Sequence, residues 1–234
     1  MPDQAALAAP DAPHAALRAR WTATLEAART TPGTTPGTTP DPAPYADNLI
    51  ARYQEPQRRY HTLTHLTAVL DHIDVLELAL AQAGTPAPDL ALVRLAAWFH
   101  DAVYAPDRSE NEERSARLAE RALTEAGVSP AGTAEVARLV RLTATHAPGP
   151  DDLGGQVLCD ADLAILAAPP DTYAAYTAAV REEYAFVPED AFRAGRAAVL
   201  RQLLALPRLF WTPYGTERWE KAARDNITAE LEQL

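Results

Sequence analysis

Apolar residues recur at intervals of three and four along most of the chain, a spacing typical of helices that bury one face. Leu17, Trp21 and Leu25 follow one another at four-residue intervals, and Val136 and Val140 repeat the interval later. No stretch of useful length alternates apolar and polar residues, which is the pattern of a half-buried strand. The chain is therefore predicted to fold as an all-α helical bundle.

Prolines, glycines and capping residues divide this pattern into separate helices. Pro106 blocks the continuation of a helix that passes His100 and Asp101. The run Ser109-Glu110-Asn111-Glu112 has the form of a capping box, and Gly127 is a typical helix end. Helical spacing also resumes at Tyr45. The predicted helices cover 14–29, 61–83, 89–104, 109–127, 130–146, 156–167, 171–185, 189–205 and 216–233.

Two segments lack the apolar residues needed to join a core. Residues 1–13 are rich in Ala and Pro and are predicted to form a mobile N-terminal tail. Residues 31–44 contain a Thr-Thr-Pro-Gly repeat and are predicted to form a disordered insertion. Because helical spacing resumes after the repeat, we expect the insertion to lie inside a single domain that spans 14–234.

Composition restricts the partners of the chain. A formal net charge of -11 without runs of basic residues argues against binding to a nucleic-acid polymer. Cys159 is the only cysteine, so no internal disulfide is possible. The first residues lack the features of a signal peptide, and no apolar run reaches the ~18 residues of a membrane helix. We expect a cytoplasmic protein without a membrane partner, and its oligomeric state stays open.

Imidazole and carboxylate side chains occur in a combination that suits a divalent metal ion. His61 and His65 are four residues apart, His100 and Asp101 are adjacent, and Asp162 follows further along the chain. Nitrogen and oxygen donors of this kind suit Mn, Fe, Co, Ni or Zn, and they suit Mg less well. Any one of these residues alone has an ordinary explanation as a core or surface residue. The prediction of a bound ion therefore depends on their conjunction.

The same residues resemble the HD superfamily of metal-dependent phosphohydrolases, whose pattern is written His…His-Asp…Asp. Segment 60–69, YHTLTHLTAV, also resembles the helix of cyclic-nucleotide phosphodiesterases that carries a metal ligand and the acid. Over nearly its whole length the chain looks like an uncharacterised bacterial subgroup of HD phosphohydrolases. The resemblance implies an HD-domain helical bundle, permits a second ion bridged by Asp101, and implies the metal ligands His65, His100, Asp101 and Asp162.

The phosphodiesterase resemblance gives the first two histidines different roles. His65 corresponds to the metal ligand, and His61, expected one turn earlier on the same helix face, corresponds to the residue that protonates the leaving oxygen. A supporting or packing role for His61 stays open. Alignment on Ala-Asp-Leu favours Asp162 as the last ligand, and Asp160 is then a supporting or helix-start carboxylate. Asp101 is expected to hold the ion and to orient the attacking water.

Four further residues are weaker candidates. Glu112 belongs to an Asn-Glu element of the subgroup and is a candidate for positioning water, although a solvent-facing capping glutamate explains it equally well. His146 is a candidate for lining the substrate pocket or touching a second metal, and a helix-end histidine stabilised by the dipole is the alternative. Arg181 and Tyr184 are candidates for substrate phosphate contacts, and ion pairing between helices explains that segment as well.

These features lead to the hypothesis of a metal-dependent phosphohydrolase that cleaves a small phosphate ester or nucleotide by attack of metal-activated water. One alternative is an HD-type di-iron oxygenase, for which His146 is the available extra histidine between the His-Asp pair and Asp162. Another is a non-catalytic signalling or interaction module with a decayed metal site, against which the complete ligand set argues. No feature of the sequence fixes the substrate.

Overall fold

The computed structural model describes residues 12–29 and 39–234. These residues form eleven α-helices and one short 3₁₀ helix and contain no strand, so the all-α prediction is confirmed. The helices are α1 Ala12–Arg29, α2 Ala43–Tyr53, α3 Leu63–Gln82, α4 Leu90–Phe99, α5 Asn111–Glu125, α6 Pro130–Leu142, α7 Leu153–Leu163, the 3₁₀ helix Ala164–Ala167, α8 Pro170–Glu183, α9 Glu189–Ala205, α10 Pro213–Arg218 and α11 Glu220–Gln233. Most of the predicted tail and residues 31–38 of the predicted insertion lie outside the described residues. No described helix combines the length and apolarity needed to cross a bilayer.

The core is built around α4, which is apolar and buried on almost every side. Trp98 and Phe99 at its C-terminal end are fully covered, and Trp21 of α1 packs edge-on against both rings at centroid distances of 5.4 and 6.0 Å. Helices α3, α6 and α7 also contact α4. Surrounding helices therefore fix the end of α4, and His100 and Asp101 follow directly at that end.

A second apolar cluster, which includes the buried Phe210, joins the 3₁₀ helix to the C-terminal helices. Asp160 of α7 reaches this part of the fold. Its carboxylate accepts the backbone N–H groups of Trp211 and Thr212 at 2.7 and 2.8 Å and the Thr212 hydroxyl at 2.6 Å. Burial raises the pKa of Asp160 to about 6. Of the two roles that the sequence left open for Asp160, the structure shows the helix-start one, although the helix is α10 and not the helix that carries Asp160.

His61 lies in the turn before α3, although the sequence predicted it on the helix. The helix begins at Leu63 because the extended backbone of Thr62 interrupts it and the Thr62 hydroxyl accepts the N–H of Thr64. Helix α4 likewise ends at Phe99, and turns follow it where the helix was predicted to continue. The residues before α3 and after α4 are therefore irregular, and they contribute several groups to the candidate site.

The capping box predicted at Ser109 is absent. Helix α5 begins at Asn111, whose side-chain oxygen accepts the N–H of Ala105 at 3.1 Å while its amide donates to the Ala105 carbonyl at 2.9 Å. Asn111 thus closes the preceding loop instead of belonging to a box. Helix α6 ends at Leu142, and His146 beyond it adopts a left-handed backbone with φ 49°.

The end of the predicted insertion is held against the domain. Trp21 Nε1 donates to the Pro42 carbonyl at 3.0 Å, and Arg29 Nη2 donates to the Pro40 carbonyl at 2.8 Å. Helix α2 begins at Ala43, so the last two residues of the predicted insertion are helical. Hydrogen bonds to main-chain carbonyls order this stretch, and the low apolar content of the sequence gave no indication of them.

Candidate metal centre

Three helix ends bring two imidazoles and a carboxylate together. His65 lies in the first turn of α3, His100 follows the last residue of α4, and Asp162 lies in the last turn of α7. One ligand atom from each residue lies within 4.8 Å of the others, and both histidines are buried. This group can hold a metal ion, because imidazole nitrogen and carboxylate oxygen are common ligands of divalent metals.

The ligand atoms of this group face one another at short range. His65 Nε2 lies 3.1 Å from His100 Nε2 and 3.2 Å from Asp162 Oδ1. Asp101 also reaches the cluster, because its Oδ2 lies 3.0 Å from His100 Nε2 and 3.4 Å from His65 Nε2. The structure thus brings together the four residues that the family resemblance implied as ligands.

The far side of the His100 ring determines which nitrogen faces the cluster. Its Nδ1 lies 2.8 Å from the Ala97 carbonyl oxygen, so Nδ1 carries the hydrogen and donates it there. Nε2 is then directed at His65, Asp101 and Asp162. A hydrogen bond of this kind usually accompanies metal-binding histidines and fixes their tautomer. The surroundings of His100 therefore fit the ligand role as well as its position does.

Charges in the cluster stabilise one another. Burial by itself raises the pKa of Asp101 and Asp162, but the neighbouring imidazoles, His100 first, outweigh burial and hold both pKa values well below the usual range. Burial likewise lowers the pKa of His65 and His100, but the two carboxylates outweigh it and raise both values. The cluster therefore favours protons on the imidazoles and negative charge on the carboxylates. A cation bound at the same atoms would displace such protons, so ion binding is expected to release protons.

Arg58 is a buried cation that ties the turn before α3 to the turn after α4, and the sequence gave no sign of this role. Its Nη1 donates to the main-chain carbonyls of His61 and Asp101 at 3.0 and 2.8 Å. The guanidinium also lies over the rings of Tyr53 and Tyr104, at 5.1 and 5.4 Å from their centroids. Arg58 therefore fixes the backbone at two of the candidate site residues.

His61 is paired with Glu183, a buried carboxylate at the end of α8 that is 4% exposed. His61 Nδ1 lies 2.5 Å from Glu183 Oε1, which also accepts the Tyr104 hydroxyl at 2.7 Å. The His61 and Tyr104 rings stack at a centroid distance of 4.2 Å. The ring of His61 is thus held from one edge and one face, and its Nε2 makes no hydrogen bond with a described residue.

Backbone donors complete the environment of Glu183. Its Oε2 accepts the N–H groups of Arg59, Tyr60 and His61 at 2.8, 3.1 and 3.2 Å. Burial by itself raises the pKa of Glu183, but the hydrogen bond from His61, its charge and the N–H of Arg59 outweigh burial and lower the pKa to about 2. Glu183 is separated from His61 by 122 positions, so no spacing rule could connect the two residues.

His146 contacts the outer oxygen of Asp162. Its Nε2 lies 2.9 Å from Asp162 Oδ2, whereas Oδ1 faces His65 and His100. Among the described residues, His146 is the one non-glycine residue with positive φ. Such a backbone costs about 1–2 kcal/mol for a residue with a Cβ, and here it accompanies the contact with Asp162. The structure therefore places His146 at the edge of the cluster.

Three other candidates lie apart from the cluster. The Arg181 guanidinium donates to Glu189 Oε2 at 2.9 Å and to two main-chain carbonyls, so it braces the turn between α8 and α9. Tyr184 packs its ring against neighbouring aromatic rings and borders a cavity next to His61. Glu112, in the first turn of α5, makes no side-chain hydrogen bond or ion pair with any described residue. The structure therefore supports a bracing role for Arg181.

Two adjacent cavities open beside the cluster. The metal-side cleft, of about 330 Å³, is bordered by His65, Asp162 and His72. The His61-side cavity, of about 480 Å³, is bordered by His61 and by residues of α8 and α9. Tyr60 and Tyr176 border both cavities, and their rings touch at a centroid distance of 4.6 Å. The ligand cluster and His61 are thus accessible from neighbouring spaces.

A scan against protein-family models, a search of curated proteins and a search of solved structures each found no match for this chain. The function is therefore inferred from the geometry and chemistry of the candidate site.

Proposed function

We propose that this chain is a metal-dependent phosphohydrolase of the HD type that cleaves a small phosphate ester or nucleotide. The observation that supports the proposal best is the convergence of His65, His100, Asp101 and Asp162 beside the His61–Glu183 pair. A ligand cluster alone is compatible with a structural ion. A held histidine next to that cluster adds a group that can transfer a proton, which accelerates hydrolysis of a phosphate ester whose leaving oxygen is basic.

The donor set determines which ions fit. Two imidazole nitrogens and two carboxylates suit Mn, Fe, Co, Ni or Zn, and they suit Mg less well because Mg prefers oxygen ligands and water. A divalent ion held there supplies a Lewis acid that polarises a phosphoryl oxygen and lowers the pKa of water from ~16 to ~7. Asp101 and Asp162 give the site the negative charge that a divalent cation requires.

His61 is the proposed general acid, and Glu183 is its positioning residue. Glu183 holds the hydrogen on Nδ1, so the second proton of the charged ring is on Nε2 and is available for transfer. The oxygen of water bonds to phosphorus, and the bond from phosphorus to the ester oxygen breaks. His61 gives its Nε2 proton to that ester oxygen, and the proton released by water restores His61. The products are an alcohol and phosphate, so atoms and charge balance.

The di-iron oxygenase is a second candidate because His146 touches the outer oxygen of Asp162 at 2.9 Å. This contact brings a third imidazole to the edge of the cluster, which an oxygenase with two irons would need. Only the phosphohydrolase uses the His61–Glu183 pair as a proton donor. Iron-dependent consumption of dioxygen, without phosphate release from any ester, would favour the oxygenase.

The experiment that tests the proposal combines metal analysis with a screen for phosphate release. Protein purified without chelator is analysed by plasma mass spectrometry and then assayed with nucleotides, sugar phosphates and aryl phosphates. We expect bound transition metal and metal-dependent phosphate release. Asp101→Ala should lose both while its circular dichroism stays helical. Near-stoichiometric metal in Asp101→Ala, or no phosphate release with any of the fitting ions, would contradict the proposal.

A further inference from the structure

We infer that the His61-side cavity binds the leaving group of the substrate and that this group is uncharged, apolar and aromatic. The inference deepens the proposed phosphohydrolase function and rests on it. It begins from the position of His61, which borders this cavity and lies next to the ligand cluster, with its ring 5.6 Å from that of His65. A general acid must contact the ester oxygen that leaves, so the group attached to that oxygen extends past His61.

The walls of the cavity are apolar and aromatic. Tyr176 and Val180 of α8, Phe192 and Val199 of α9, and Tyr184 between these helices surround a volume of about 480 Å³. This volume lies within the range of small-molecule pockets, which are typically ~300–1,000 Å³ and mostly apolar. Val199 is part of this apolar wall, and its side chain at the rim of the cavity is 49% exposed to solvent. An apolar occupant would cover this surface.

Charge in the cavity is already neutralised. Besides His61, the charged side chain that borders it is Arg196, and its guanidinium makes a two-bond ion pair with Glu230 at 2.7 and 3.0 Å. Both partners of the pair are 11% exposed. Arg196 also donates to the Tyr176 hydroxyl at 3.1 Å, and Tyr173 donates to Glu230 at 2.5 Å. Among the described residues, no cation bordering this cavity is left for a second phosphate group, so a polyphosphate chain fits poorly.

The small number of free polar groups in the cavity also disfavours a nucleoside as the leaving group. A nucleobase carries several hydrogen-bonding groups on its edge, and these lose water on entering a cavity and require protein partners. The Tyr176 hydroxyl already accepts from Arg196, and valine and phenylalanine side chains offer no hydrogen bonds. The hydroxyls of Tyr60 and Tyr184 also border the cavity, but two hydroxyls are fewer partners than the edge of a nucleobase requires. An aryl group without polar substituents loses no such partners. The cavity therefore favours an aryl phosphate over a nucleoside phosphate.

The first test measures binding without turnover. 2-Naphthol, the alcohol released from 2-naphthyl phosphate, is titrated into chelator-treated protein and followed by its own fluorescence. We expect saturable binding that weakens at least about tenfold in Val199→Asp, because the variant places a charge in an apolar wall. Val75→Asp on α3 is the matched control, since Val75 is 38% exposed and borders neither cavity; it should bind like the wild type.

A second variant tests whether weaker 2-naphthol binding in Val199→Asp results from misfolding. Gly195 lies on α9 at the border of the cavity, and a Cβ added there meets no atom within 4 Å. Leucine is also the better helix former, by roughly 0.8–1 kcal/mol, so Gly195→Leu should fold at least as well. We expect Gly195→Leu to weaken 2-naphthol binding, whereas Ala194→Leu, which adds a side chain at an exposed position that does not border the cavity, should not.

Turnover separates this inference from the proposed function. With metal-loaded wild-type protein, kcat/KM for 2-naphthyl phosphate should exceed that for phenyl phosphate by about tenfold, because the second ring adds apolar surface to be buried. Val199→Asp should remove this preference. Phosphate release without naphthol binding or ring preference would overturn the leaving-group inference while the hydrolase proposal stands. Naphthol binding that depends on Val199, without hydrolysis of any ester, would overturn the hydrolase proposal and leave an aromatic-binding cavity.

Discussion

Glu183→Gln removes the charge that holds His61 while nearly keeping the shape of the side chain. In the native protein, Oε2 accepts three backbone N–H groups, and Oε1 accepts His61 Nδ1 and the Tyr104 hydroxyl. A glutamine side chain has one oxygen and one NH₂ group, so it cannot accept on both sides. Whichever way the amide turns, donors on one side of the buried carboxamide lose their acceptor.

The pKa of Glu183 gives the size of the effect. The fold lowers this pKa from the ordinary 4.5 to about 2, and at 1.36 kcal/mol per unit this amounts to about 3 kcal/mol in favour of the charged form. The residue is 4% exposed, so solvent screens the interaction little. Because the folded pKa is lowered, this stabilisation is fully present above the unfolded value of about 4.5 and is lost as the pH falls towards the folded value.

Urea unfolding of metal-free protein measures this contribution. Glu183→Gln should reduce the free energy of unfolding by about 3 kcal/mol at neutral pH and by less at about pH 3.5. Glu182→Gln is the matched control on the same helix, because Glu182 pairs with Arg59 at the surface; it should change the free energy by less than ~1 kcal/mol. Metal-loaded Glu183→Gln should keep its ion and lose turnover with an altered pH profile. Wild-type stability in Glu183→Gln, or equal losses in both variants, would refute the reasoning.

Three further predictions follow from the site. His65→Ala should lose metal and activity together, whereas His61→Ala should keep metal and lose about 10²–10⁴-fold in turnover. The loss in His61→Ala should be smaller for a nitrophenyl phosphate, because its leaving oxygen needs no proton. Metal release from His61→Ala would instead identify His61 as a ligand. Without metal, the raised pKa values of His65 and His100 stabilise the fold below pH ~6.5, and this contribution is lost as the pH rises through the folded pKa values. The melting temperature measured in chelator should therefore fall from pH ~6.5 upwards, whereas that of the metal-loaded protein should not. Parallel curves for the two forms would contradict this prediction. Asp160→Asn should lower the free energy of unfolding by about 1–3 kcal/mol without loss of metal, because Asp160 accepts three hydrogen bonds at the start of α10. Metal loss at unchanged stability would instead identify Asp160 as a ligand.

Much of the fold could be predicted from short-range features of the sequence. Helical spacing of residues such as Leu17, Trp21 and Leu25 correctly indicated α1, because the side of a helix that faces a core is set by its own periodicity. Boundaries were less accurate. Thr62 ends the irregular segment before α3, and Asn111 closes a loop instead of completing a box. Serine, threonine and asparagine side chains can cap a helix or bond to a neighbouring loop, and the surrounding packing decides between these arrangements.

The sequence by itself also indicated the residue types of the candidate cluster, since the predicted ligands His65, His100, Asp101 and Asp162 lie together in the structure. Only the tertiary structure decided what surrounds them. Arg58 and Glu183 became part of the site because helix ends that are distant in the chain meet there. Periodicity and capping act over a few residues, whereas the partner of a buried charge is chosen by whichever polar group the packing brings next to it. The supports of His61 and the cavity beside it are for this reason properties of the folded chain.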